Sequence, residues 1–213
     1  MHRFHGAKDI CMTSDLPFSQ ASENNKMPIL EALSVWLKDS KAVLELGSGT
    51  GQHAVFFAPR LEHLIWNTSD LQENHAAIAA RLSLHPAANL RAPLLLDARD
   101  PLWPSSATAL GVDAVYSANT AHIMHWDAVM SMFAGVGKVL SADGLFLLYG
   151  PFCYGGEHTS DGNRAFDASL RAGDGGKGIR DKNDLDELAD KAGLVLVRDE
   201  DMPANNRLLV WLR

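Results

Sequence analysis

The stretch AVLELGSGTGQH, residues 42–53, limits this chain's fold more than any other. Five residues, four of them apolar, run into glycines at 47, 49 and 51, as expected of a buried strand that ends in a tight turn. A helix is expected from Gln52 to Ala58, stopped by Pro59. Strand, glycine turn and helix in this order make a ligand-binding corner of an α/β sheet. The spacing excludes two common tenants. A dinucleotide fingerprint needs G-x-G-x-x-G, and position 52 is Gln; a P-loop needs G-K-[ST], which is absent.

Glu45 narrows the ligand further. A carboxylate beside the loop repels a pyrophosphate, by on the order of 1 kcal/mol at ~4 Å in water and more in a shielded cleft. A cationic ligand is favoured there instead. S-adenosylmethionine (SAM) has an ammonium and a sulfonium and no phosphate, and glycines let it approach the backbone closely. Its ribose needs a carboxylate about 20 residues on, at the end of the second strand. Asp70, which closes LIWNTSD, stands there. Gly47, Ser48, Gly49, Thr50, Gly51 and Leu71 complete this part of the candidate site.

The rest of the chain alternates. A helix precedes the first strand, with Ile29, Leu33, Trp36 and Leu37 at helical spacing and Pro28 expected in its first turn. Strands are expected at 64–70, 89–97, 112–119 and 145–150, and helices at 71–84, 126–140 and 184–194. Ile78 and Leu82 should point inward. Alternation of this kind implies a parallel sheet covered on both faces. Two closing strands, 194–202 and 206–213, read as a hairpin. Residues 151–182 break the rhythm with seven glycines and room for one helix near 163–172. Loops of that length are often functional.

Ligands in such sheets sit at the carboxyl ends of the strands. The third strand ends at Asp97 and Ala98, where an acid can hold an adenine amino group or merely cap the next turn. The fourth ends in SANTAH, bringing Asn119 and His122 to the same rim.

The motifs VLELGSGTGQH and LLLDARD, with Asp70 after the second strand, resemble class I SAM-dependent methyltransferases over roughly residues 40–150. The terminal hairpin resembles that fold too, whose last strand inserts antiparallel. FSQASENNKMPILEAL, FDASLR, GIRD and DMPANN look like an uncharacterised methyltransferase-like family, a domain of unknown function, over nearly the whole chain after residue 17. The resemblance implies an α/β, Rossmann-like, seven-stranded, mostly parallel sheet with a C-terminal antiparallel hairpin and helices on both faces. It implies SAM as cofactor. It also suggests that SENNK folds over the cofactor, with Asn25 in contact and Lys26 meeting its carboxylate, although Ser22 or Asn25 can equally be a helix cap. Methyltransferases that act on adenine N6 or glutamine amide nitrogen carry an Asn/Asp-Pro-Pro-aromatic motif after the fourth strand. No proline follows Asn119, which disfavours those acceptors.

The expected organisation is a flexible terminus at 1–18 and one methyltransferase-like domain at 19–213, with an acceptor-side insertion at 151–182. Candidate acceptor contacts are Phe152, Tyr154, His158, Asn163, Phe166, Arg171, Arg180 and Asn205. Much of the catalysis is expected to be positioning and desolvation, because sulfonium is already a good leaving group. If the acceptor starts protonated, His122 or His158 is the candidate base, with Tyr154 or Asp167 orienting. A metal site at His53, His122 and His125 is disfavoured by their spacing and the lack of a nearby acid.

A net charge of -7 with no basic run argues against a nucleic-acid partner and leaves a small-molecule or protein acceptor. Two isolated cysteines, Cys11 and Cys153, and no apolar leader or span suit a cytoplasmic protein without a membrane role. Two rivals remain: a module that binds SAM without turnover, and an NAD(P)-dependent dehydrogenase, which Glu45 opposes. The sequence does not fix the oligomeric state.

Overall fold

The computed structural model describes residues 16–213, so Cys11 and all but the last three residues of the expected flexible terminus lie outside the described residues. Helix α1, Gln20–Trp36, is capped by Ser19, whose hydroxyl accepts the Ser22 N–H at 3.1 Å. Pro28 therefore lies inside this helix and not in its first turn, because the Ser19 cap starts the helix earlier.

The parallel core follows in the expected alternation. Strand β1, Ala42–Leu46, leads through the glycine loop to α2, Gln52–Phe57. Then come β2, Ile65–Asp70, α3, Gln72–Leu84, and β3, Leu90–Leu95. Ile78 of α3 is buried, while Leu82 is only partly so. A short helix absent from the sequence reading, α4, Trp103–Thr108, precedes β4, Ala114–Ala118. Pro101 before it and Pro104 within it obscure it, yet Pro104 falls in the first turn, where a proline costs no helical hydrogen bond. Helix α5, Trp126–Val139, leads to β5, Leu145–Gly150.

Residues 151–182 are more ordered than their glycines suggest. They hold β6, Phe152–Tyr154, β7, Glu157–His158, α6, Asp161–Gly173, and β8, Arg180–Asp181. The three strands form a small separate sheet in the order β7-β6-β8. Strands of two or three residues are too short to carry a period. Helix α7, Lys182–Ala192, and strands β9, Val195–Met202, and β10, Asn206–Leu212, finish the chain.

The main sheet has seven strands in the order β3-β2-β1-β4-β5-β10-β9. β1 pairs in parallel with β2 and β4, and β10 inserts antiparallel between β5 and β9. β3 is an edge strand and tolerates Pro93 there. Period-two alternation divides the core. Leu44, Val115, Phe146, Leu148 and Trp211 face α5 and α7; Val43, Trp66, Tyr116, Leu147 and Val210 face α1 and α2. On the first side the Phe146 and Trp211 rings stack at 5.3 Å, and Phe133 meets both edge-on. Glu45 shares the second face with Trp66 and Tyr116.

Close helix packing rests on glycine at one α5 position above all. A Cβ on Gly135 would lie 2.0 Å from the Trp103 ring. Gly135→Ala should therefore destabilise the protein by about 1–3 kcal/mol through overpacking, although alanine is the better helix former. A chemical denaturation midpoint that is unchanged or raised would contradict this packing.

Candidate functional site

At the carboxyl ends of the strands, side chains replace ladder bonds as the strands part. The Ser69 hydroxyl donates to the Glu45 carbonyl at 2.7 Å, and the Ser117 hydroxyl to the Leu46 carbonyl at 2.7 Å. Between the parted ends lies a cleft of about 560 Å³, within the range of small-ligand pockets. Its walls include Glu45, the 47–50 loop, Asp70, Leu71, Asp97, Ala98 and Asn119, and also Ser22, His53, Met124 and Met132.

The loop can take its path only with glycine. Gly47 has φ +72°, and a Cβ there would meet Thr120 Cγ2 at 2.7 Å. Gly49 has φ +56° with nothing within 4 Å of a built Cβ, so bare backbone faces open space. Gly51, in the left-handed region at φ +73°, caps α2.

Glu45 is 2% exposed. Its Oε2 accepts from Ser48 Oγ at 2.9 Å and from Trp66 Nε1 at 3.0 Å. Its Oε1 accepts nothing from the described residues and belongs to a group on the cleft wall. Burial pushes the carboxyl up to about 7, against the lowering effect of the two donors; the nearby Asp70 adds to the rise. Asp70 is held from three sides. Oδ1 accepts from the Leu71 N–H and the Asn74 amide, both at 2.7 Å, and Oδ2 from the Gly49 N–H at 2.6 Å. A carboxylate oxygen has two lone pairs, so Oδ2 keeps one for a ligand hydroxyl.

His53 stands beside this corner as a neutral ring, lowered to about 4 chiefly by burial. Nε2–H donates to Asn25 Oδ1 at 2.8 Å, which leaves Nδ1 to accept from the Tyr116 hydroxyl at 3.4 Å. At the other end Asp97 is engaged by Arg99, whose Nη2 donates at 2.7 Å and whose backbone N–H donates at 2.9 Å. Arg99 also holds the Asp97 carboxyl below its usual range. Asp97 thus lines the cleft and caps its own turn.

Several expected site residues lie elsewhere. Asn25 touches the cleft only through His53. Lys26 is paired with Glu23 and stacked over Phe56, because an acid one turn earlier and an aromatic face draw it outward. Phe152 is 1% exposed in the hydrophobic core, which places its ring out of reach of an acceptor. The Tyr154 hydroxyl donates to Asp199 at 2.9 Å on β9; burial and that carboxylate raise it well above the ordinary phenol range. His122 lies against Phe166 of α6, ring centroids 5.3 Å apart, and does not line the cleft.

The insertion gathers the others. Asp167 accepts from Arg171 Nε at 2.9 Å and the Ile179 N–H at 2.6 Å, with His158 Nε2 at 3.5 Å. The Asn163 amide reaches the Asn205 carbonyl at 3.0 Å, tying α6 to the β9–β10 turn. Gly176 and Gly178 pack directly on the 119–125 loop: the Gly178 N–H donates to the His122 carbonyl at 2.9 Å, and a Cβ on Gly176 would meet the His125 ring at 2.8 Å. His125 pairs with Asp174 at 2.9 Å. The three histidines weighed as metal ligands therefore diverge, and no group of three or more His, Cys, Asp or Glu among the described residues could hold a metal.

Sequence reasoning missed Trp66 and Asn74, weighed His53 only as a metal ligand, and offered Ser22 or Asn25 as the helix cap where Ser19 is the cap. The available signal was the polar run NTSD in a strand expected to be buried; Asn67, Thr68, Ser69 and Asp70 are all buried. Polar residues at such positions need partners across the sheet.

No helix among the described residues is long and apolar enough to cross a membrane. The chain is similar in fold to an O-methyltransferase family protein from Burkholderia thailandensis, with 14% identity, TM-score 0.76, and 88% of this chain matched to 56% of that one. An O-methyltransferase family 2 protein from Planctomyces limnophilus, in complex with apigenin, matches at 15% identity and TM-score 0.74 over 90% of this chain and 57% of its own. Human N-acetylserotonin methyltransferase in complex with SAM matches at 14% identity and TM-score 0.73 over 91% and 53%. The chain thus spans little more than half the length of these structures, and the likeness establishes a Rossmann-like methyltransferase fold. The model of the family described as "Protein of unknown function (DUF938)" matches residues 16–213, and the chain belongs to that family.

Proposed function

We propose that the chain binds S-adenosylmethionine in the cleft and transfers its methyl group to a small-molecule or protein acceptor. The observation that carries this reading is Glu45: a buried carboxylate with one oxygen free of the described residues, beside bare glycine backbone. Such a group selects a ligand cation and rejects a phosphate. Residues 19–213 act in this reading as one domain, with 151–182 on the acceptor side.

The donor set fits the cofactor. Glu45 would receive the ammonium, the 47–50 backbone would lie along the methionine chain, and the free lone pair of Asp70 would accept from the ribose. Leu96, Ala98, Met124 and Met132 offer an apolar slot for adenine. Bound there, the cofactor supplies an electrophilic methyl on a sulfonium leaving group. The chain's own share is to bind, orient and exclude water. Neutral His53 adds no cation beside the one to be bound. The binding-only rival differs in yielding no S-adenosylhomocysteine with any acceptor.

Calorimetry should detect binding of SAM and S-adenosylhomocysteine and none of NAD. Glu45→Lys should abolish that binding, and Glu45→Gln should weaken it roughly 10- to 100-fold, the worth of one charge-assisted hydrogen bond. Unchanged affinity in the folded variants would remove the assignment.

The pH dependence has a definite sign. A ligand ammonium favours the ionised form of Glu45, so affinity should rise with pH up to about 7, with a proton released on binding. It should fall again above ~8, where an α-ammonium loses its proton. Titrations in two buffers of different ionisation heat would count that proton. Without ligand, the linkage runs the other way. The folded-state value of Glu45 is raised, so its contribution is fully present below the unfolded value near 4.5 and is lost as pH climbs through about 7. Glu45→Gln should accordingly be more stable than the parent at pH 8, with the gap closing toward pH 5. A gap that stays constant in thermal melts would argue against a titrating Glu45.

A further inference from the structure

Two polar groups above the end of β5 have no role in the cofactor cleft. Arg180 is 8% exposed. Its Nε donates to the Ala121 carbonyl at 3.0 Å, and Nη2 donates to the Gly176 carbonyl at 2.9 Å and to the Met124 carbonyl. Nη1 donates to nothing among the described residues, and no carboxylate pairs with this guanidinium there. His122 is 6% exposed, and neither ring nitrogen has a partner among the described residues. A Cβ on Gly150 would sit 3.7 Å from its Nδ1. The sealed, unpartnered side-chain atoms among the described residues are His158 Nδ1, Asp186 Oδ1 and Trp211 Nε1, so the free nitrogens of Arg180 and His122 keep access to solvent.

The charged groups around this corner are engaged elsewhere. From α6 come Arg171 and Asp167, already bound to each other. From β7 comes His158, turned to Asp167. The Cys153 thiol of β6 points to Asp181 at 3.8 Å. Asp167 is thus taken by Arg171, and Asp181 by the Gly156 and Asn183 N–H groups, which leaves Arg180 without a paired carboxylate among the described residues. Carbonyl dipoles offset part of Arg180's burial cost, but a buried cation lacking an anion is an expensive arrangement. Phe166, 42% exposed, meets the His122 ring edge to face, with the planes 70° apart.

We propose that Arg180 and His122, beneath Phe166, form an anion subsite that takes the carboxylate of an aromatic acceptor. The word acceptor rests on the methyltransferase reading; the subsite does not. Arg180 Nη1–H and an imidazole N–H donate to the carboxylate oxygens, and Phe166 covers the ring. The location fits, because the 119–125 loop that lines the cofactor cleft also gives Arg180 the Ala121 and Met124 carbonyls.

Benzoate is the probe, with benzyl alcohol as the uncharged control. The free His122 ring is held down to about 4 by burial first and by the Arg180 charge second, so it stays neutral above pH 5. A bound carboxylate cancels the second cause. The Hε1 resonance of His122, assigned with His122→Gln, should therefore be flat between pH 5 and 7.5 in the free protein. It should titrate, with a rise of about one unit or more, in saturating benzoate and not in benzyl alcohol. Arg180→Met should erase the response. Because that change can also loosen the fold, Phe166→Ala on the exposed face of α6 serves beside it and should weaken benzoate binding severalfold. A flat resonance at tens of millimolar benzoate, or an equal response to benzyl alcohol, overturns the subsite. S-adenosylhomocysteine affinity measured on the same samples separates the two claims: binding without a benzoate response sinks the subsite alone, and a benzoate response without binding sinks the methyltransferase reading alone.

Discussion

A carboxylate inside an interior strand of the sheet governs this molecule. β1 lies between β2 and β4, and alternation turns Glu45 toward the face that holds Trp66 and Tyr116. A buried, ionisable acid is tolerated there only because an indole N–H and a hydroxyl meet one of its oxygens. An apolar residue at that position would pack against the same aromatic neighbours without the desolvation cost. Retaining the acid is the kind of concession that stability makes to binding. Gly47 follows from packing at the same strand end, since a Cβ there would strike Thr120.

Helix α1 and the 151–182 segment are fastened by different chemistry. α1 is held by neutral amides: the Ser19 N–H donates to Gln52 Oε1 at 2.6 Å, and the Gln52 amide donates back to the Ser19 carbonyl at 3.3 Å. Arg81 adds a bridge, donating to the Thr50 carbonyl at 2.6 Å and to the Pro17 carbonyl at 2.5 Å. Gln52 stands where a dinucleotide fingerprint has its third glycine, so the residue that breaks the fingerprint also fastens the start of α1. The 151–182 segment is fastened by the Arg180 guanidinium and the His125–Asp174 hydrogen bond, and by glycines that bring its backbone against the 119–125 loop.

The local parts of the structure were legible and the convergent parts were not. Strand, glycine turn and helix at 42–57, Asp70 at the end of β2 and the terminal hairpin are written in contiguous residues, and each appears within a residue or two of its expected bounds. The same holds for Glu45, the glycine loop and Asp70 as neighbours, because adjacent parallel strands must end side by side. What escaped depends on contacts between distant elements. Trp66 could be read as core, but not as the donor to Glu45, until the β1–β2 register was known. Phe152 and Tyr154 follow directly on a strand that ends at the site, yet the small sheet turns one into the core and the other toward Asp199. Lys26 answered a nearer acid.

The sheet order explains why the parts converge where they do. The chain moves from β1 out to β2 and β3, then returns to the other side of β1 with β4 and β5. At that reversal the connections from β1 and β4 leave toward opposite faces, and a crevice opens between their ends. Its lining is sorted by charge. Near the glycines stand Glu45 and Asp70, while His53, the adjacent group able to become a cation, is kept neutral by burial and fixed as the Nε2–H tautomer by Asn25. The guanidinium of Arg99 at the far end is spent on Asp97, and that of Arg180 lies behind the 119–125 loop. Cations are thus absorbed or screened away from the corner where a carboxylate waits, which gives the cleft one electrostatic direction along its length and orients any ligand that carries a cation at one end and a flat apolar ring at the other.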